Sequence, residues 1–220
     1  FRGSASSTFR GPTLNQLNGS ATTLSFVPEA NAFKAIESLG NTDLKPETAK
    51  TLNLGSMVNF LQGDIFATID YWYFDFSDPI IVEPFEAVLA ANLDGQVVRN
   101  PATGGLERVI VNIVNGPDIK THGVDFSVNW KGEEGWKIGF ESTYINDYKV
   151  DQYNVGSVSV FDGFSPVGQL NSSNFMRPLP RIKSQIFAEM RFEQQSFNAR
   201  VNYVHGYRDE RDSLFDSTGT

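Results

Sequence analysis

The chain has 220 residues, with 26 acidic and 18 basic side chains and a formal net charge of −8. That balance excludes the basic face that nucleic-acid binding needs, and the absence of cysteine excludes thiolate metal sites, thiol catalysis and disulfides. No apolar run approaches the ~18 residues of a membrane-spanning helix, which says nothing against strands that cross a bilayer.

Taken in order, residues 1–10 are predicted as a weak strand with small residues between Phe1 and Phe9. Residues 11–45 read as a long polar connection, with Leu24, Phe26, Phe33 and Ile36 scattered through it and a short helix expected near 29–38. Such length without clear periodicity marks a functional or flexible loop. Leu52, Leu54, Val58 and Phe60 then alternate, a turn follows at 61–64, and Ile65, Ala67, Ile69, Tyr71 and Tyr73 share one face opposite Thr68, Asp70 and Trp72. A period of two places successive side chains on opposite sides of a strand.

A second long connection covers 78–107, with turn chemistry at Asn92-Leu93-Asp94-Gly95 and Asn100-Pro101. The β-branched run 109–114 is expected to begin a strand that Gly116-Pro117 interrupts and that resumes at Ile119. The clearest alternation follows: Val124, Phe126, Val128 and Trp130, then Trp136, Ile138, Phe140, Tyr144 and Tyr148, against Asp125, Ser127, Asn129, Lys137, Glu141, Thr143 and Asp147. Lys131-Gly132-Glu133-Glu134-Gly135 makes the hairpin between them. A third long connection spans 149–180. Ile182, Ile186, Ala188 and Met190 and then Phe197, Ala199, Val201 and Tyr203 supply two more alternating strands around a turn at 193–195.

Every second connection is therefore long and those between are tiny. A soluble sandwich has no reason to alternate so strictly, whereas transmembrane β-barrels have short periplasmic turns and longer extracellular loops. Aromatics gather at the strand ends. Trp130 and Trp136 flank the turn at 131–135, and Tyr144 and Tyr148 follow at about the 9–11 residues a tilted strand needs to cross the hydrocarbon. The reading is all-β, a transmembrane antiparallel barrel with its apolar face in lipid and its charged face in a wet lumen. Seven strands are expected. Bacterial single-chain barrels have even strand counts and leave no edge bare in lipid, so the chain reads as an arc of a larger barrel. Phe1 opens with neither an initiator Met nor a signal segment, and the chain is expected to be a piece of something longer.

Two stretches then carry a resemblance. Thr8-Phe9-Arg10-Gly11-Pro12-Thr13-Leu14-Asn15-Gln16-Leu17 and Gly40-Asn41-Thr42-Asp43-Leu44-Lys45-Pro46-Glu47-Thr48 resemble the C-terminal barrel half of TonB-dependent outer-membrane receptors. His122-Gly123-Val124-Asp125 and Pro180-Arg181 are similar to later strand openings of that family. Pro46-Glu47 reads as a strand start where a missing N–H does no harm, and Gly123 as relief of crowding at a bulge. The resemblance implies one domain over 1–220 within a plugged barrel of about 22 strands. It also implies location in the outer membrane of a Gram-negative bacterium and energised import of a scarce, large solute. The TonB-type energy-transducing partner would contact regions outside this chain, and the lipid bilayer surrounds the wall.

No catalytic or metal constellation stands out. The two histidines, His122 and His205, read as polar groups at the interfacial rim. Lumen-facing Asp70, Asp125, Lys137, Glu141, Glu189, Arg191 and Arg200 read as a hydrated charged lining. The chain is expected to be neither an enzyme nor a cofactor protein. Candidate cargo contacts are Trp72, Phe74 and Asp75 at the end of a rising strand, with Arg99, Asn100, Phe161, Phe164 and Arg177 in loops. Acidic loop residues (Asp43, Glu83, Glu86, Asp94, Asp151, Asp162) outweigh the bases. A neutral or cationic solute such as an oligosaccharide is therefore favoured over a ferric siderophore or cobalamin-like chelate. The alternative is a passive porin or adhesin, or a barrel enzyme.

Overall fold

The computed structural model describes residues 1–132, 135–163, 165–171 and 177–209. In chain order the elements begin with β1 (Arg2–Arg10), α1 (Leu14–Asn18), β2 (Ser20–Val27), β3 (Ala32–Leu39), β4 (Glu47–Phe60) and β5 (Ile65–Ser77). They continue with β6 (Ile80–Val82), α2 (Phe85–Ala90), β7 (Val97–Arg99), β8 (Leu106–Asn115), β9 (Ile119–Lys131) and β10 (Trp136–Val150). The last are β11 (Tyr153–Val155), β12 (Val158–Phe161), β13 (Ile182–Phe192) and β14 (Gln195–Val204).

Among the described residues, seven strands form one antiparallel meander in the order β1-β4-β5-β9-β10-β13-β14, an arc of barrel wall. Its pairings follow the alternation in the sequence. One cross-strand row joins Ala67, Val128 and Phe140, and the next joins Ile69 and Phe126. Ile69, Phe126, Ile138, Ile186 and Val201 are all substantially exposed, as a lipid-facing surface requires. Two serines break the apolar row, and they satisfy each other: Ser142 Oγ lies 2.8 Å from Ser184 Oγ. Near the short turns, Phe60, Trp130, Trp136 and Phe197 stand exposed, forming the aromatic girdle of the periplasmic side. The turn after β4 is tight, with Leu61, Gln62 and Gly63 all at positive φ (49°, 57° and 105°).

The strand count and the wall faces match the sequence reading, with three departures. First, Tyr148 belongs to the lumen face. The β9–β10 register shifts between Ile145 and Asp147, so Tyr148 pairs with Thr121 instead of continuing the parity of Tyr144. One extra residue at a bulge reverses the facing of everything beyond it. Gly123, opposite Ile145, sits at that bulge as expected.

Second, the expected helix near 29–38 is replaced by a 3-10 turn at Pro28–Ala30 and strand β3. Asn31 at φ 46° closes the turn, and β2 and β3 form a hairpin around it. A short helix does occur earlier, at α1. Its Thr13 cap accepts from the Gln16 N–H at 3.3 Å, and the Gln16 side chain accepts from the Thr13 N–H at 2.9 Å.

Third, 109–114 does not begin the wall strand that resumes at Ile119. It lies in β8, which leaves the wall and joins a separate five-stranded sheet, β2-β3-β8-β6 with β7 on β8. The β3–β8 pairing is parallel and ties the first long connection to the second. Val27, Ile36, Ala87, Val88, Leu106, Val109, Val111 and Val155 share one buried cluster. All three long connections contribute to that cluster, with Tyr153 and Val158 of the β11–β12 hairpin packed against it. Parts of all three thus pack into one folded extracellular lobe.

Candidate lumen-facing site

Above the middle of the wall, the lumen face of β5 carries three aromatic rings at alternate positions. Trp72 and Phe74 have ring centroids 5.7 Å apart, and Phe74 and Phe76 stack at 6.0 Å with planes 11° apart. Cross-strand neighbours on this face are small or hydroxylated. Asn53 and Gly123 flank Trp72, Thr51 and Thr121 flank Phe74, and Ser6 Oγ contacts Thr51 Oγ1 at 2.6 Å. Glycines make room for the larger groups. A β-carbon at Gly123 would overlap the Trp72 indole, and one at Gly139 would overlap the Phe187 ring.

At the top of the ladder lies an open cavity of about 460 Å³ lined by Arg10, Glu47, Phe76, Ser77, Ile119 and Tyr148, among others. Arg10 Nε donates to Glu47 Oε2, and Glu47 Oε1 accepts from the Ile80 N–H at 2.7 Å, so the carboxylate is fixed between wall and lobe. Lower down, Arg2 Nε donates to Asp70 Oδ1 at 2.8 Å, across the gap left by Gly55. The site therefore offers flat apolar faces, hydroxyls, and two guanidinium–carboxylate pairs: groups that stack on rings and hydrogen-bond to hydroxyls.

The candidates taken from the sequence fall in different places. Trp72 and Phe74 lie together on the lumen face, whereas Asp75 shares the outer face with Tyr71 and Tyr73 and pairs in register with Lys50 and Lys120. Arg99 is in the lobe, where its Nη2 donates to Glu29 Oε1 at 2.7 Å. Asn100 shapes its own turn: Oδ1 accepts from the N–H of Ala102 and Thr103, and Nδ2 donates to Glu107 Oε1 at 2.9 Å. Phe161 is buried beside Tyr153, at 6.5 Å between ring centroids. Arg177 is exposed, and its carbonyl accepts from Asn171 Nδ2 at 2.8 Å. Phe164 lies outside the described residues.

Sequence reasoning passed over Phe76, Tyr148, Arg10 and Glu47. Phe76 continues the i, i+2, i+4 spacing of Trp72 and Phe74 and was legible by that signal alone. Tyr148 was hidden by the bulge, and Arg10 and Glu47 sit inside stretches read as barrel construction. Of the two histidines, His122 Nε2 is 3.2 Å from Asn146 Nδ2, and His205 Nδ1 is 3.2 Å from the Tyr203 hydroxyl.

A meander wall with alternating long and short connections, apolar outside and hydrated within, defines an outer-membrane β-barrel. The family model for the TonB-dependent receptor-like β-barrel matches residues 1–219, and the chain belongs to that family. No functionally curated protein matches it in sequence. Among solved structures, it is similar to the siderophore receptor PirA from Acinetobacter baumannii, with 18% identity and a TM-score of 0.52 over 94% of this chain. It is similar also to a mutant of the ferric enterobactin receptor PfeA from Pseudomonas aeruginosa, with 16% identity and a TM-score of 0.58 over 92% of this chain. A third is the Serratia marcescens hemophore receptor HasR, solved as a double mutant with its hemophore and heme, at 14% identity and a TM-score of 0.53 over 93%. The chain spans only 27%, 25% and 29% of those three receptors, and the likeness is one of fold.

Proposed function

We propose that this chain forms part of the wall and outer mouth of a receptor that imports a bulky, scarce solute across the outer membrane. Energy would come from a TonB-type transducing protein acting on the receptor outside these residues. The observation that carries the reading is the Trp72–Phe74–Phe76 ladder, which faces the lumen and rises toward the cavity held by Arg10 and Glu47. A lumen wall that only closed a barrel would need hydration there, not a stack of apolar rings.

The cargo favoured by these groups is neutral or cationic, with an oligosaccharide first and a ferric siderophore or cobalamin-like chelate second. Sugar rings present an apolar face to aromatic rings and hydroxyls to carboxylate and amide partners, whereas anionic chelates are drawn by a cationic mouth. In the lobe, Arg99 and Arg108 are already held by Glu29 and Glu37, at 2.7 and 3.7 Å, which leaves an acidic surplus. The test is binding of the full-length receptor to a glycan panel and a siderophore panel at several salt concentrations. Salt-insensitive glycan binding that Trp72→Ala and Phe76→Ala weaken is expected. Tight, salt-sensitive binding of an anionic siderophore without glycan binding would overturn the cargo assignment.

A further inference from the structure

The outer face of the wall changes character toward the extracellular side. Leu54, Tyr71, Val124 and Tyr144 form one cross-strand row, and Leu52, Tyr73 and His122 form the next. Tyrosines at this level are the interfacial belt of a membrane β-barrel. Two residues further along each strand, about 7 Å higher, Lys50, Asp75, Lys120 and Lys149 occupy a single row across β4, β5, β9 and β10. The bulge at Asn146 puts Lys149 into it, because Lys149 pairs with Lys120 only after the register shift.

All three lysines are exposed. Lys149 has a loose contact with Asp151 at 3.9 Å, while Lys50 and Lys120 have no carboxylate within ion-pair distance among the described residues. Asp75 stands between those two in register, but its Oδ1 is buried and accepts no hydrogen bond among the described residues. Directly opposed like charges destabilise a sheet, so the Lys120–Lys149 pair has a cost that a bound anion would relieve. The row lies where the head groups of the outer leaflet begin.

From this placement we infer that Lys50, Lys120 and Lys149 form a binding row for the phosphates of an anionic lipid head group in the outer leaflet. Adjacent strands are about 4.8 Å apart, so the row presents ammonium groups over roughly 15 Å, the reach of a head group carrying more than one phosphate. The long methylene stems of lysine lie along the apolar wall while the ammonium groups reach the polar layer. The lumen-facing cargo groups point the other way, so this inference stands apart from the proposed import.

The test uses the full-length receptor in phosphatidylcholine nanodiscs supplied with lipid A, a bis-phosphorylated glucosamine lipid, with retained lipid counted by native mass spectrometry. Each lysine near an anionic surface contributes roughly fivefold. The triple variant Lys50→Gln, Lys120→Gln, Lys149→Gln should therefore lose lipid A at least about tenfold, and the triple Lys→Arg variant should keep it. Should the triple variant fail to fold, Lys120→Gln and Lys120→Arg make the same comparison singly. Equal retention by the Gln and parent proteins would overturn the inference. So would equal retention of dephosphorylated lipid A. Displacement of lipid A by millimolar inorganic phosphate would identify a small-anion site instead and would equally overturn it.

Discussion

The indole of Trp72 occupies the space that a side chain at position 123 would need. A β-carbon built on Gly123 stands 2.9 Å from Cε2 of Trp72 and closer still to Cζ2 and to the Tyr144 carbonyl oxygen. The glycine thus serves two ends at once, letting the bulge in β10 approach and letting the lowest ring of the ladder sit against the backbone at position 123. Gly123→Ala should destabilise the barrel by about 1–3 kcal/mol, the usual cost of overpacking. Adding Trp72→Ala should recover only part of that, since the clash with the Tyr144 backbone remains. Urea unfolding of the full-length receptor in lipid vesicles, run as a double-mutant cycle, measures both parts. Full recovery would assign the whole cost to the indole, and no recovery would remove Trp72 from the account.

The wall was legible in the sequence because each strand there faces two different solvents, lipid and water, which imposes a strict period of two. The lobe was not. Its strands pair through a parallel contact between Ala35 and Arg108, 73 positions apart in the numbering, and no local pattern announces such a contact. The apolar run in β8 looks like a wall strand because a buried lobe strand and a membrane strand share that composition. Tyr148 illustrates a different limit: one inserted residue at Asn146 reverses parity, and nothing in the residues around it states on which strand the bulge falls. For the site, Trp72 and Phe74 followed from alternation, and the same alternation already separates Asp75 from them. Arg99, Asn100 and Phe161 show the remaining gap. A loop arginine that binds its own neighbour has the same letter code as one that binds cargo.

Val128 and Phe140 lie side by side on the lipid face, with Ser127 and Glu141 paired behind them on the lumen face. An arginine at Val128 or Phe140 should cost about 2–4 kcal/mol near the bilayer midplane. An arginine at Ser127, in water, should cost far less. Spin labels at the same positions should divide likewise, with lipid-soluble oxygen reaching 128 and 140 and a water-soluble relaxant reaching 141. The reverse pattern would invert the assignment of faces.

The three long connections should lose their structure together. Val109 is fully buried at the centre of the lobe, in contact with a cluster drawn from β2, β3, α2, β8 and β11. Placing an unpaired carboxylate there, as Val109→Asp, should cost on the order of 3–5 kcal/mol. Amide exchange should then accelerate in β2, β3, α2 and β11 alike while β5, β9 and β10 keep their protection. Loops that were independent would show the loss around β8 alone.

Tyr153 gives the lobe a defined alkaline limit. Burial, with a smaller push from the negative charge of Glu83, raises its phenol from 10.0 to about 12. The folded lobe therefore holds this proton more tightly than the unfolded chain. Its contribution to stability is fully present below pH 10 and falls as the pH rises toward 12, because the unfolded chain ionises first. Titration by tyrosinate absorbance in the full-length receptor should show a late-ionising tyrosine that Tyr153→Phe removes. Glu83→Gln should bring that ionisation slightly earlier, burial being the larger cause. The same Phe variant should also flatten the loss of lobe protection between pH 10 and 12, measured by amide exchange or limited proteolysis. If Tyr153 titrates near the ordinary 10.0 of a phenol, the ring is wetted and the β11–β12 hairpin does not pack against the lobe as described.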